Sequence, residues 1–243
     1  LQSYMIHRAE EFLNSKGRKL IGWDEILEGG LAPDATVMSW RGEDGGIKSV
    51  RMGHDVVMTP GNYMYFDFYQ ADPKTQPYAI GGYTPVKKVY SYNPVPVDSL
   101  TAEESKHILG VQANTWTEYI QTPEHLEYMM FPRALAVAEI GWTPQELRTW
   151  DDFKPRMNAH IPKLQAMGIN TFTLSDELEV TMRVDTVGKR IEVILDAEKY
   201  PAEVRYTTDG SVPTASSALY TGSIVVTDSA YIKAAIFRDG ILQ

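Results

Sequence analysis

Lys19-Leu20-Ile21-Gly22-Trp23-Asp24-Glu25 is a short apolar run that stops at an indole followed by two carboxylates. The same grammar returns downstream. Ala35 to Trp40 closes on Met38-Ser39-Trp40-Arg41-Gly42, and His107 to Gln112 leads into Asn114-Thr115-Trp116-Thr117-Glu118. Val56-Val57-Met58 is a further strand-like run. Helical patterns separate these runs: an opening helix with Met5, Ala9, Phe12 and Leu13 on one face and Gly17 as its stop, a short helix over Ile47 to Met52, a long one from Pro123 to Ile140, and another from Trp150 to Met167 that ends at Gly168 before the short run Ile169 to Leu174. Strands alternating with helices predict a parallel sheet covered by crossover helices. A loop rich in Pro, Tyr and Gly runs from Gln70 to about Pro96; it is too long for a plain connection and reads as a functional rim.

The pattern changes near Ser175. From Val180 onward apolar and polar residues alternate, as in Ile191 to Leu195, Val204-Arg205-Tyr206 and Ile224-Val225-Val226, with breaks at Asp209-Gly210 and Thr221-Gly222. The expected division is therefore 1–176 for the α/β part and 177–243 for a small antiparallel, sandwich-like β domain, read as a scaffold rather than as an independent sugar-binding module.

Composition narrows the function. With 243 residues and a net charge of -9 without any basic stretch, the chain is a poor candidate for nucleic acid or an anionic membrane surface. No run approaches the ~18 apolar residues of a membrane span, so no membrane insertion is expected. There are no cysteines, and the histidines at positions 7, 54, 107, 125 and 160 show no metal-ligand spacing. Gly42 to Gly46 has neither the phosphate-loop lysine nor dinucleotide spacing, and Asp34, Asp44 and Asp55 do not make a calcium loop. Neither a metal nor another cofactor is implied. What does point to a ligand is the pairing of indoles with carboxylates or a guanidinium at strand ends, and the similar cluster Tyr63-Met64-Tyr65-Phe66-Asp67. A pyranose offers apolar C–H faces and polar edges, so flat aromatic walls with a few oriented carboxylates suit it.

Taken in order, Gly17 to Ile26, Val37 to Gly42, Gly110 to Glu118, and Met130-Phe131-Pro132-Arg133-Ala134 through Glu139 and Trp142 resemble the second half of a family 20 glycoside hydrolase, a β-N-acetylhexosaminidase. The tail from Val204 to Thr214 is similar to the β domain often appended to such enzymes. The resemblance implies the C-terminal half of a (β/α)8 TIM barrel, strands five to eight, with its site at the C-terminal ends of the strands. It also implies substrate-assisted hydrolysis, in which the 2-acetamido oxygen attacks the anomeric carbon. By that resemblance Trp23, Trp40 and Trp116 wall the acetamido pocket, and the Tyr65 hydroxyl meets the acetamido oxygen as the one catalytic group in this chain. Asp67 and Glu118 accept hydrogen bonds from sugar hydroxyls. Trp142 and Trp150 are expected in the core.

One departure matters. The family's catalytic Asp-Glu pair follows a His-x-Gly-Gly type segment on the fourth strand, and this sequence has none. The chain is expected to be a piece of a longer protein, inactive alone and joined either to an N-terminal half or to a second copy through open barrel edges. Two alternatives remain: a noncatalytic carbohydrate-binding protein that keeps the indole box, and a barrel glycosidase of another family with Glu25 as its acid. The resemblance implies terminal GlcNAc or GalNAc glycans as substrates, and a periplasmic, cell-surface or secreted location in a bacterium.

Overall fold

Four short strands, β1 (Ile21–Trp23), β2 (Thr36–Ser39), β3 (Val56–Met58) and β4 (Ile108–Val111), lie parallel and in that order in the computed structural model, which describes residues 1–243. They make an open sheet with β1 and β4 at its edges, half the strand number of a closed eight-stranded barrel. Register decides what faces what. Gly22, Val37 and Val56 share one row and Trp23, Met38 and Val57 the next, so the two rows point to opposite faces. The first row is covered by a helix, and Val37 and Val56 are fully buried there.

Helices fill the connections. They run α1 (Gln2–Ser15), α2 (Asp44–Arg51), α3 (Gly61–Met64), α4 (Val86–Ser91), α5 (Ala102–Ser105), α6 (Pro123–Met130), α7 (Arg133–Trp142) and α8 (Trp150–Ala166). Gly17 ends α1 as expected: at φ +68 it adopts the left-handed conformation, and its N–H closes on the Asn14 carbonyl. The apolar stripe of α1 stays uncovered, with Met5 57% and Phe12 63% exposed. Its buried residue is Glu10, whose carboxylate accepts the Asp34 N–H at 2.8 Å. α2 packs directly on the sheet because Gly46 has no side chain. A Cβ there would sit 2.7 Å from the Met58 sulfur and 3.2 Å from Val56.

Three sequence expectations need correction. The single helix over Pro123 to Ile140 is two, because Pro132 supplies no N–H and holds Phe131 in an extended conformation, so α6 stops at Met130 and α7 restarts at Arg133. The stretch from Gln70 to Pro96 is not plain loop: it contains a 3-10 turn at Pro73–Thr75 and α4. Trp142 is not core but 90% exposed. Ala136 and Ile140 are one helical turn apart on the buried face of α7, and Trp142 lies ~200° around the helix from Ile140. The run Ile169 to Leu174 forms no strand, although the Phe172 N–H reaches the Phe131 carbonyl at 2.9 Å.

By contact density the chain divides into Leu1–Trp150 with Lys163–Phe172, and Asp151–Pro162 with Thr173–Gln243. The second unit holds two antiparallel sheets. One is ordered β5 (Leu178–Asp185), β6 (Arg190–Ala197), β9 (Ile224–Val226), and the other β11 (Ile241–Leu242), β10 (Lys233–Arg238), β7 (Glu203–Thr207), β8 (Ala218–Leu219). Val193, Leu195, Ala197, Val204, Ile224 and Ile236 form their aliphatic core, at the inward positions of the alternation read from sequence. No helix is long and apolar enough to cross a membrane.

Candidate functional site

The four loops that leave the C-terminal ends of β1 to β4 are stitched to one another in sequence. After β1, the Asp24 carboxylate accepts the backbone N–H groups of Trp40 and Arg41, each at 3.1 Å, and the Arg41 Nε at 2.6 Å. This fixes the exit of β2. The Trp40 carbonyl then accepts from Gly61 at 2.8 Å, beyond β3. After α3, Met64 accepts from Asn114 at 2.8 Å and Phe66 donates back to the Asn114 carbonyl at 2.7 Å, which ties in the exit of β4. Asn114 is buried, and its side-chain amide donates to Thr59 while it accepts from Gln112 at 2.7 Å. Each loop is thus held by the next through groups that would otherwise be orphaned backbone or buried amide.

Aromatic side chains converge on this frame. Trp23 ends β1 and meets Trp116, beyond β4, at 5.7 Å between ring centroids; Tyr65 stacks on Trp40 at 6.1 Å and meets Trp116 edge-on at 6.3 Å. The structure therefore brings Trp23, Trp40, Tyr65 and Trp116 into one cluster at one end of the sheet. Such ring pairs add ~0.5–1.5 kcal/mol each beyond burial. Trp116 stays 41% exposed, so the cluster is open to solvent rather than sealed. At the rim Tyr119 meets Tyr78 edge-to-face at 5.0 Å, which places the Gln70 to Pro96 stretch beside the β4 exit.

Two groups in this frame have perturbed acidity. Burial raises the Tyr65 hydroxyl above the usual phenol range, only partly offset by the Trp116 indole, so Tyr65 keeps its proton and can donate. Asp67, two residues on, is 5% exposed and has one carboxylate oxygen without a partner. Burial raises its pKa. Backbone N–H groups of Asp67 and Trp116 pull it down, the Glu118 charge pushes it up, and Arg133 pulls it down. A buried acceptor with a vacant lone pair is uncommon and calls for a reason. Glu118 is exposed.

Sequence reasoning missed what Asp24 and Glu25 do. Both Glu25 carboxylate oxygens accept the Trp40 indole N–H, at 3.0 Å each, so Glu25 orients an indole. Asp24, 2% exposed, anchors the Trp40 backbone and pairs with Arg41, whose other arm reaches Glu28 at 3.1 Å. The signal was the repeated indole beside a carboxylate; the partners lie 15 to 17 residues apart, beyond any local pattern. No His, Asp and Glu side chains gather in threes as metal ligands.

Comparison with known proteins gives a consistent set. A model of the glycosyl hydrolase family 20 catalytic domain matches residues 1–145, and one of the chitobiase/beta-hexosaminidase C-terminal domain matches residues 184–243. A beta-hexosaminidase of Porphyromonas gingivalis is 46% identical over 223 residues, 91% of this chain and 28% of the relative. A beta-N-acetylhexosaminidase of Cellulomonas fimi is 29% identical over 167 residues, 68% of this chain and 33% of the relative. The crystal structure of a GH20 exo beta-N-acetylglucosaminidase from Vibrio harveyi with N-acetylglucosamine superposes at a TM-score of 0.65 with 32% identity, over 71% of this chain and 27% of that one. The chain spans between 20% and 28% of the length of three curated beta-hexosaminidases that it matches.

Proposed function

The chain belongs to glycosyl hydrolase family 20, and from that premise we propose that the full-length protein carrying it removes terminal β-linked N-acetylhexosamine from glycans with retention. The observation that carries the proposal is the convergence of Trp23, Trp40, Tyr65 and Trp116 from four successive strand ends, beside the unpartnered oxygen of Asp67. The three indoles wall the acetamido methyl. The protonated Tyr65 hydroxyl donates to the acetamido oxygen as that oxygen attacks the anomeric carbon and the bond to the leaving oxygen breaks. Asp67 and Glu118 accept from sugar hydroxyls and fix the ring in place. Neither the proton donor for the leaving oxygen nor the aspartate that orients the acetamido N–H is assigned to this chain, which lacks the His-x-Gly-Gly segment that precedes them in the family.

Glu25 does not suit the role of acid, because both its oxygens are turned to the Trp40 indole. Assay of the full-length protein on an aryl β-GlcNAc, with and without Glu25→Gln, separates the readings. A few-fold loss is expected, since Gln still offers an oxygen to Trp40. A loss of 10²–10⁴-fold or more, the worth of a general acid, would assign the acid to Glu25, and an inactive full-length protein would favour a sugar-binding role.

The isolated 243-residue chain is expected to show no turnover. Its open sheet edges and the exposed Met5, Phe12, Ile21 and Leu109 favour partnership with the preceding half of the barrel, or with a second copy when that half is missing. Light scattering of the isolated chain should report a dimer, and a monodisperse monomer would contradict this. Export to a bacterial periplasm or surface is proposed on resemblance alone and is checked by fractionation.

A further inference from the structure

Arg133 is the largest fully buried side chain in the molecule, and no carboxylate pairs with it. It sits in the first turn of α7 and spends its donors on carbonyls. Nε donates to Met129 at 3.0 Å, Nη1 to Phe68 at 3.1 Å and Thr84 at 3.0 Å, and Nη2 to Phe66 at 2.6 Å and again to Met129. The guanidinium also lies 4.5 Å from the centroid of the Phe66 ring. Burying a cation without a counter-ion is costly. Burial pushes its pKa down to about 9, with Asp67 pulling part of the way back. An apolar side chain would fill the same core but would take this donor away from four backbone carbonyls.

The carbonyls it grips explain the choice. Phe66 and Phe68 are the residues on either side of Asp67, and Thr84 lies midway along the rim stretch, just before α4. One planar fork therefore fixes the backbone around Asp67, one residue beyond the loop tie at Phe66 and two beyond Tyr65. We propose that Arg133 is a positioning residue of the sugar site: by holding the carbonyls on both sides of Asp67 it sets the direction of the Asp67 carboxylate and, through the same segment, of the Tyr65 hydroxyl. This rests on the reading of Asp67 and Tyr65 as sugar contacts. The charge has a second effect on that site. Asp67 faces Glu118 and Tyr65 as well as Arg133, and Arg133 is the one cation among them. Its field adds to the backbone N–H groups of Asp67 and Trp116 in opposing the protonation that burial favours.

The test uses the full-length protein with Arg133→Lys and Arg133→Met, assayed on an aryl β-GlcNAc across pH, with urea denaturation alongside and Asp67→Asn as control. Lysine keeps the charge but cannot span four carbonyls in one plane. Arg133→Lys should lower kcat/KM by about 10- to 100-fold without moving the acid limb of the pH profile. Arg133→Met should lose more and move that limb upward, because Asp67 has lost its cation. Folded variants within twofold of the parent and with an unmoved limb would overturn the proposal, and failure of both variants to fold would reduce Arg133 to a core strut and overturn it too. If Asp67→Asn costs nothing, the sugar-contact reading of Asp67 fails instead, whatever the Arg133 variants show.

Discussion

Eleven buried polar or charged side chains lie in the molecule, and every one belongs to the α/β unit: Asp24, Ser39, Thr59, Asp67, Gln70, Thr84, Asn114 and Arg133 around the strand exits, with Glu10, Ser49 and Thr171 elsewhere in it. The β unit buries none, and its core is six aliphatic residues. Both units solve the same problem of removing apolar surface from water, at roughly 25 cal/mol per Å². Only one carries groups that cost free energy to bury unless each finds a partner. The difference teaches where geometry, and not stability, dictates the residue. The polar groups hold loops whose backbone must stay in one arrangement, whereas the aliphatic core asks only for shape and volume.

The contrast can be broken most forcefully at Tyr65. Tyr65→Phe keeps the ring stack on Trp40 and removes one oxygen, so on the proposed function the full-length protein should lose about 10²–10³-fold in kcat with its unfolding midpoint unchanged. A loss below threefold on an aryl β-GlcNAc would detach Tyr65 from the chemistry. The mirror experiment lies in the β unit. Ile236, 2% exposed, fills that core, and Ile236→Ala should destabilise the unit by ~3 kcal/mol through the cavity it leaves, while kcat/KM stays within twofold. Denaturant melts paired with kinetics decide this, and a parallel fall in activity would show that the β unit takes part in the site.

A smaller effect separates anchoring from core-filling within the α/β unit. Asp24→Ala leaves the Trp40 and Arg41 N–H groups without their acceptor, at a cost of ~2 kcal/mol. Arg41 is nearly half exposed, so water takes over much of its share. Because the Trp40 backbone is freed, KM should rise more than stability falls; equal change in the melt with KM constant would make Asp24 a folding residue only.

The same contrast governs what could be read in advance. The β1 to β4 runs and the alternating strands of the β unit were legible because each is a local pattern: a short apolar run, closed by Trp at the end of β1 and just after β2, or Ile191 to Leu195 with a period of two. The split at Pro132 was visible in principle, since a proline inside an apolar helical stretch removes a donor. Trp142 was expected in the core; its exposure becomes plain only by counting around α7 from Ile140, once the bounds of that helix are known. The indole positions came from order and resemblance. What stayed hidden were the pins: Asp24 on Trp40 and Arg41, Glu25 on the Trp40 indole, and Arg133 on carbonyls up to 67 residues away. Their partners are set by tertiary approach, and a carboxylate or guanidinium in sequence looks the same whether it points to solvent or into the fold.

The central claim, that the exits of four consecutive strands build one N-acetylhexosamine pocket, is tested most directly by a crystal structure of the full-length protein with N-acetylglucosamine bound. The account places the acetamido methyl among Trp23, Trp40 and Trp116, its oxygen within hydrogen-bond reach of the Tyr65 hydroxyl, and a ring hydroxyl on the Asp67 oxygen that now lacks a partner. A sugar bound elsewhere, with these rings and that oxygen untouched, would contradict it.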